Sequence, residues 1–148
     1  MKKSCLSFVL LLFVCCTCAQ QNVIDWSFSS KKISGNLYEI RLAATLKKGW
    51  HIYSHHPGDG PIPTSVAFIN SPVLELKGGI KETGKIKSEK SDIFNSEIKY
   101  YKDSLIITQN VLIKVNVQTS IKGRVEFMVC DNQQCLPPKT VEFAIKLI

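Results

Sequence analysis

Between Leu105 and Val117 the chain alternates almost without a break. Leu105, Ile107, Val111, Ile113, Val115 and Val117 fall on one face, and Thr108, Asn110, Lys114 and Asn116 on the other. A period of two is the signature of a half-buried β-strand, whereas a helix would scatter these residues around its circumference. Gln109 is the one polar residue in the apolar set, so a bulge or bend is expected near it. The same period returns along the chain. Ile24, Trp26 and Phe28 alternate with Asp25 and Ser27, and Tyr38, Ile40, Leu42, Ala44 and Leu46 oppose Glu39, Arg41 and Thr45. Gly35-Asn36 marks the turn between them. Residues 64–69 read as a further strand with Val66 and Phe68 inward, and Val141, Phe143, Ile145 and Leu147 form a last inward face. No window after residue 20 sustains a helical period, so little helix is expected. The chain reads as all-β, an antiparallel sandwich of the immunoglobulin-like kind.

With 148 residues, 45% of them hydrophobic, the chain has material for one domain, and no composition break divides it. The first residues have a different purpose. Lys2 and Lys3 precede an apolar run from Phe8 to Val14, and Thr17-Cys18-Ala19 offers a cleavage site before Gln20. That is the plan of a secretory signal, with an apolar run too short to span a bilayer. Residues 1–19 are expected to be removed and residues 20–148 to form the single domain. The residues before Cys15, Cys16 and Cys18 lack the aliphatic-small-small approach of a lipidation site, which disfavours a lipoprotein. Losing Lys2 and Lys3 takes the formal charge from +7 to +5. The remaining lysines are spread over loops and strand faces, without the basic and aromatic interleaving of a nucleic-acid surface.

Four of the six cysteines (Cys5, Cys15, Cys16 and Cys18) leave with the signal. Cys130 and Cys135 remain, exported into an oxidising compartment. They stand at the end of a strand in which Val125, Phe127 and Val129 alternate with Glu126 and Met128, and Leu136-Pro137-Pro138 follows. Two thiols on so tight a loop are close enough to bridge. Closing a loop of about six residues stabilises a fold by roughly 2 kcal/mol, against about 4.7 for a loop of 100. A staple would gain more by joining distant strands, but a structural hairpin disulfide in a non-enzymatic binding module stays open beside a redox pair. A zinc site lacks a second ligand pair at usual spacing, and a thioredoxin motif needs C-x-x-C beside a βαβ pattern.

Gly49 and Trp50 open a short strand that places Trp50 and Ile52 on one side, His51 and Tyr53 on the other. His55-His56-Pro-Gly-Asp-Gly-Pro-Ile-Pro follows, a connection stiffened by proline. His51, His55 and His56 invite a copper or zinc reading. His51 and His55 share a face only in a helix, and the prolines and glycines oppose one. Residues 77–91, with five lysines among Glu82, Glu89, glycines and serines, read as a solvated loop or edge strand without chemistry.

Phe-Met-Val-Cys130-x4-Cys135-Leu-Pro-Pro resembles the redox loop in the N-terminal periplasmic domain of the transmembrane thiol:disulfide interchange protein DsbD. Gly49-Trp-His-Ile-Tyr53 with its Gly-Pro-Ile-Pro-Thr-Ser, and Asp92-Ile-Phe94 leading to Tyr100-Tyr-Lys-Asp103, resemble two further stretches of that domain in the right order. The resemblance implies thiol–disulfide exchange through Cys130 and Cys135. It also implies an aromatic cap at Phe94, an acidic neighbour at Asp92, and His51 and Tyr53 on the surface beside the loop. Three departures stand out: histidine replaces tyrosine at 51, Ile93 occupies a second acidic position, and the cysteine spacing can differ by one residue. No dissolved cofactor is implied, because the disulfide carries the electrons. The implied partners are thioredoxin-fold periplasmic proteins, including disulfide isomerases and cytochrome c maturation factors. The family protein carries its own membrane conduit and a second thioredoxin-like domain. These 148 residues hold neither, so the expected electron source is a separate membrane-bound donor, and the domain is expected as a monomer.

Overall fold

The structure is a computed structural model and describes residues 22–56, 58–91 and 95–148. These contain eleven β-strands and no helix: β1 (Ile24–Ser34), β2 (Leu37–Leu46), β3 (His51–Tyr53), β4 (Ser65–Phe68), β5 (Leu74–Thr83), β6 (Ile86–Ser91), β7 (Ser96–Lys102), β8 (Ser104–Ile113), β9 (Thr119–Phe127), β10 (Val129–Cys130) and β11 (Lys139–Leu147). Every pairing is antiparallel. The result is the all-β immunoglobulin-like sandwich that the alternation predicts.

The strands form three sheets, ordered β1-β2-β8-β5, β10-β3-β7-β6 and β11-β9-β4. The first two repeat one order, because β2 runs into β3, β7 into β8 and β5 into β6. Those three pairs of strands fold over a corner, the device by which strands switch sheets in a sandwich, while β1 and β10 are separate edge strands. The turns at this corner need unusual backbone. Gly49 lies at φ +90° and Asp103, the single residue between β7 and β8, at φ +68°. The Leu46 amide donates to the Asp103 carbonyl at 2.8 Å and ties the corner together.

The inward residues of all three sheets meet in one core. Ile40, Leu42, Leu105, Ile107, Val111, Ile121, Val125 and Phe127 are buried at its centre. Aromatics from β1 reach across the layers: Trp26 packs on Phe127 with ring centroids 5.4 Å apart, and Phe28 on Phe143 at 5.2 Å. The Ser30 hydroxyl donates to the Lys146 carbonyl at 2.7 Å and links β1 to β11.

Two expectations need adjustment, and a third resolves to the second of its two alternatives. The bulge announced by Gln109 lies in the neighbouring strand, since β8 pairs with β2 without interruption and the register of β5 shifts between Lys77 and Lys81. Buried Gln109 donates from Nε2 to the Lys77 carbonyl at 3.0 Å and the Gly78 carbonyl at 3.3 Å, where the bulge has left the ladder. The alternation also outlasts its strand: β8 stops at Ile113, and Val115 and Val117 lie about half exposed in the turn beyond. Finally, most of residues 77–91 is strand, the end of β5 and all of β6, each at a sheet edge. The lysines discourage pairing there, as expected of an edge.

A candidate redox site on a tyrosine-lined sheet face

Met128 joins β9 to β10, so the strand that helps build the core runs straight on into Cys130. Four residues then return the chain. The Asp131 amide donates to the Gln134 carbonyl at 2.9 Å, and the Leu136 amide to the Val129 carbonyl at 2.9 Å. Asp131 Oδ1 accepts from the Gln133 amide at 2.8 Å and the Gln134 amide at 2.7 Å, the side-chain turn that aspartate favours. Cys135 is thereby set opposite Cys130 as an antiparallel bridge, with Cα atoms 4.0 Å apart and the two sulfurs bonded. The two cysteines differ in surroundings. Cys130 is 1% exposed, whereas Cys135 is exposed and followed by the exposed Pro137 and Pro138.

β3 lies beside β10, with His51 directly across from Cys130; on its other side β7 places Lys102 across from His51 and Tyr100 across from Tyr53. Directly opposed residues share a sheet face, so Cys130, His51, Tyr53, Tyr100 and Lys102 form one surface. His51 Nε2 and the Tyr53 hydroxyl are 3.3 Å apart, with the rings edge to face at 5.3 Å; the His51 ring also tilts against Tyr100 at 4.7 Å. Lys102 Nζ sits 5.6 Å from the centre of the Tyr100 ring, whose hydroxyl donates to Glu89 Oε2 at 3.0 Å. Tyr53, Ile98 and Cys130 form a small buried cluster, flanked by Tyr100 and Met128.

This packing sets the charges. Burial, and then the Lys102 ammonium, push the His51 pKa below 6.5, while Glu89 and Asp131 pull it upward. Burial and then Glu89 raise the Tyr53 phenol; burial followed by the bond to Glu89 raises that of Tyr100. Both phenols are neutral at physiological pH. The Gln133 and Gln134 amides hold the Asp131 carboxyl below its usual value, so it is ionised beside the disulfide.

The structure thus brings together four of the six residues that the sequence singles out: Cys130, Cys135, His51 and Tyr53. Asp92 and Phe94 lie outside the described residues; their flanks Ser91 and Ser96 pair across the β6–β7 hairpin. His55 and His56 belong to a different cluster. His55 Nδ1 lies 3.1 Å from the Thr64 carbonyl, and its amide donates to Glu82 Oε1 at 2.7 Å. Among the described residues no three His, Cys, Asp or Glu side chains are grouped to hold a metal ion. Glu82 also accepts from the Ser54 hydroxyl at 2.6 Å and the Tyr101 hydroxyl at 3.3 Å, and so fastens the start of the proline-rich connection to the sheet. Its charge and burial push the Tyr101 phenol up to about 12, burial contributing more.

Sequence reasoning missed Tyr100, Lys102 and Ile98 as neighbours of the cysteines, and both glutamates of the lysine-rich stretch. The period of two in 96–102 shows that Ile98, Tyr100 and Lys102 share a face. Only the pairing of β7 with β3 shows which face. A groove of about 560 Å³ along β4, β9 and β11, lined by Phe68, Arg124 and Phe143 among others, lies on another sheet. Exchange at an exposed sulfur has no need of it.

A buried sulfur bonded to an exposed one, on a strand of an all-β domain, invites comparison with known redox domains. Residues 20–147 match the family model described as "Thiol:disulfide interchange protein DsbD, N-terminal". The chain belongs to that family. Among solved structures it resembles the N-terminal periplasmic domain of ScsB from Proteus mirabilis, with 16% identity and a TM-score of 0.53 over 84% of this chain. That match covers 44% of the ScsB chain, so this protein spans less than half its length. It also resembles the reduced DsbD N-terminal domain of Neisseria meningitidis, with 13% identity, a TM-score of 0.51, and 82% of this chain and 84% of that one covered. A third likeness is to the complex of the DsbD and PilB N-terminal domains of the same organism, at 12% identity and a TM-score of 0.53, covering 82% and 80% of the two chains. At such identities the likeness is one of fold. No curated protein sequence matches the chain. Among the described residues no helix is long and apolar enough to cross a membrane.

Proposed function

We propose that this DsbD N-terminal family member is a periplasmic thiol:disulfide interchange domain, exported by the segment 1–19. It receives two electrons from a membrane-bound dithiol donor and passes them to oxidised thioredoxin-fold proteins. The observation that carries the reading is the unequal burial of the two sulfurs, Cys130 at 1% exposure and Cys135 open to solvent. Only an accessible sulfur can form a bond to another protein, and a second thiol held beside it can release that protein from the mixed disulfide.

In the loading step a donor thiolate attacks Cys135 Sγ, the Cys130–Cys135 bond breaks, and Cys130 leaves with the electron pair and takes up a proton. The donor's second thiol then displaces Cys135, leaving donor disulfide and domain dithiol. In the delivery step the Cys135 thiolate attacks an acceptor disulfide and forms a mixed disulfide. Cys130 attacks Cys135 in turn and frees the acceptor as a dithiol. Two electrons and two protons enter in the loading step and leave in the delivery step, and the disulfide is the only carrier required. Asp92 and Phe94 retain here the roles that the family implies, an acidic neighbour and a cap over the disulfide.

Cys130→Ser, lacking the resolving thiol, should accumulate a mixed disulfide through Cys135 with a thioredoxin-fold protein from periplasmic extract, read by non-reducing electrophoresis and mass spectrometry. Cys135→Ser should trap little. An abundant adduct on Cys135→Ser would exchange the two roles. If neither variant traps a partner and the disulfide resists glutathione, with a potential below about −300 mV, it is a structural hairpin bridge.

A further inference from the structure

The delivery step asks a buried thiol to act as a nucleophile. Cys130 lies 1% exposed in a cluster with Tyr53 and Ile98, and burial in such surroundings holds a thiol in its protonated form. The ionised Asp131 that follows it opposes a second negative charge. One base stands across from it: His51 is the cross-strand partner of Cys130, and opposed residues have Cβ atoms about 4.5–5.5 Å apart on one face. We propose that His51 accepts the proton of Cys130 when that thiol attacks the mixed disulfide between Cys135 and a partner. The proposal rests on the exchange reading above and adds the group that makes the buried sulfur reactive.

The ring is held for this task. Tyr100 packs against it at 4.7 Å, and its Nε2 meets the Tyr53 hydroxyl at 3.3 Å. Among the described residues Nδ1 has no hydrogen-bond partner. The charged and titratable groups around the ring are Lys102 and Tyr100 from β7, Tyr53 from β3, Glu89 from β6, and Cys130 with Asp131 from β10 and its loop. Burial and Lys102 outweigh the two carboxylates, so His51 is neutral near pH 7 and free to take a proton. The step balances. The Cys130–Cys135 bond forms, the bond from Cys135 to the partner breaks, and the partner sulfur leaves with the electron pair. The Cys130 proton moves to His51 and from there to the leaving thiolate.

The pH dependence follows in sign. Below its own pKa, itself under 6.5, His51 is protonated and cannot serve, so resolution slows on the acid side and levels off above. Without His51 the rate instead tracks the thiolate fraction of a buried cysteine and keeps climbing into the alkaline range.

The test uses the reduced chain and a limiting amount of the aromatic disulfide dithiobis(nitrobenzoate). Attack by Cys135 releases a first coloured thiolate, and resolution by Cys130 releases a second. His51→Gln and His51→Tyr are compared with the wild type, the tyrosine keeping an aromatic ring against Tyr100. Near neutral pH the second release should slow roughly tenfold or more in both variants, with the first little changed and the acid-side inflection lost. A second release equal in all three proteins, or both releases slowed alike with an unchanged pH profile, would overturn the proposal. The cysteine variants test the underlying reading with His51 intact. If Cys135→Ser rather than Cys130→Ser keeps the fast first release, that reading falls and the proposal falls with it.

Discussion

The two sulfurs of the 130–135 bridge share a bond and little else. Cys130 is sealed among Tyr53, Ile98 and Met128, while Cys135 sits at the far end of a turn closed by the Asp131 carboxylate. Access to the bond is therefore a question of single side chains. In the proposed function the side chain that guards it is Phe94. Phe94→Ala should speed reduction of the disulfide by dithiothreitol several-fold, with the far-ultraviolet circular dichroism unchanged. An unchanged rate would remove the cap role from Phe94. Ser96 and Lys102 stand six residues apart on β7, roughly 20 Å at strand rise, and Lys102 is in the row of Cys130. Ile98 and Tyr100 occupy the positions between them on that face, so the tyrosine surface is the part of the site fixed by strand pairing.

Among the elements, β5 and β8 show how one residue sets a strand's course. Gln109 holds an inward position in β8, and the three residues of β5 between Lys77 and Lys81 leave the ladder opposite it. The buried amide supplies the donors that the bulge carbonyls have lost from the ladder. Gln109→Leu would fill the core but strip the Lys77 and Gly78 carbonyls of that donor, at a cost of about 1–3 kcal/mol. The urea midpoint should fall accordingly, with an unchanged slope. An unaltered midpoint would mean that water serves the bulge as well as the side chain does. Polar intrusion into an apolar series is visible in sequence. Which of the two paired strands yields to it is not, because the partner's register is a property of the sheet.

For the molecule as a whole, the core and the disulfide are nearly independent. The large fully buried aliphatic and aromatic side chains come from β2, β3, β8, β9 and β11, Cys130 belongs to a separate small cluster, and the bridge closes a short loop at the end of one strand. Reduction should lower the unfolding free energy by only about 2 kcal/mol and leave the folded baseline intact. Denaturation with and without reductant measures this. Unfolding on reduction alone would mark the bridge as a structural staple and count against exchange. The corner at residues 46–51, 83–86 and 102–104 matters more to the site, since it turns β3 and β7 over so that Tyr53 and Tyr100 line the cysteine face.

The sequence by itself determined the class of fold, because a period of two is a local property and survives any arrangement of strands. It also singled out Cys130 and Cys135, and the order of motifs pointed to the family. Loop length bounded what their bridge is worth. The company they keep was decided elsewhere. His51 lies opposite Cys130, Tyr100 opposite Tyr53 and Glu82 under the Ser54 turn because strands far apart in the chain pair in one register. Register follows from the fit of the whole core, and no residue carries it alone. The burial of one sulfur and the exposure of the other arise in the same way, since both belong to a short stretch of chain and differ only in what the sheets lay over them.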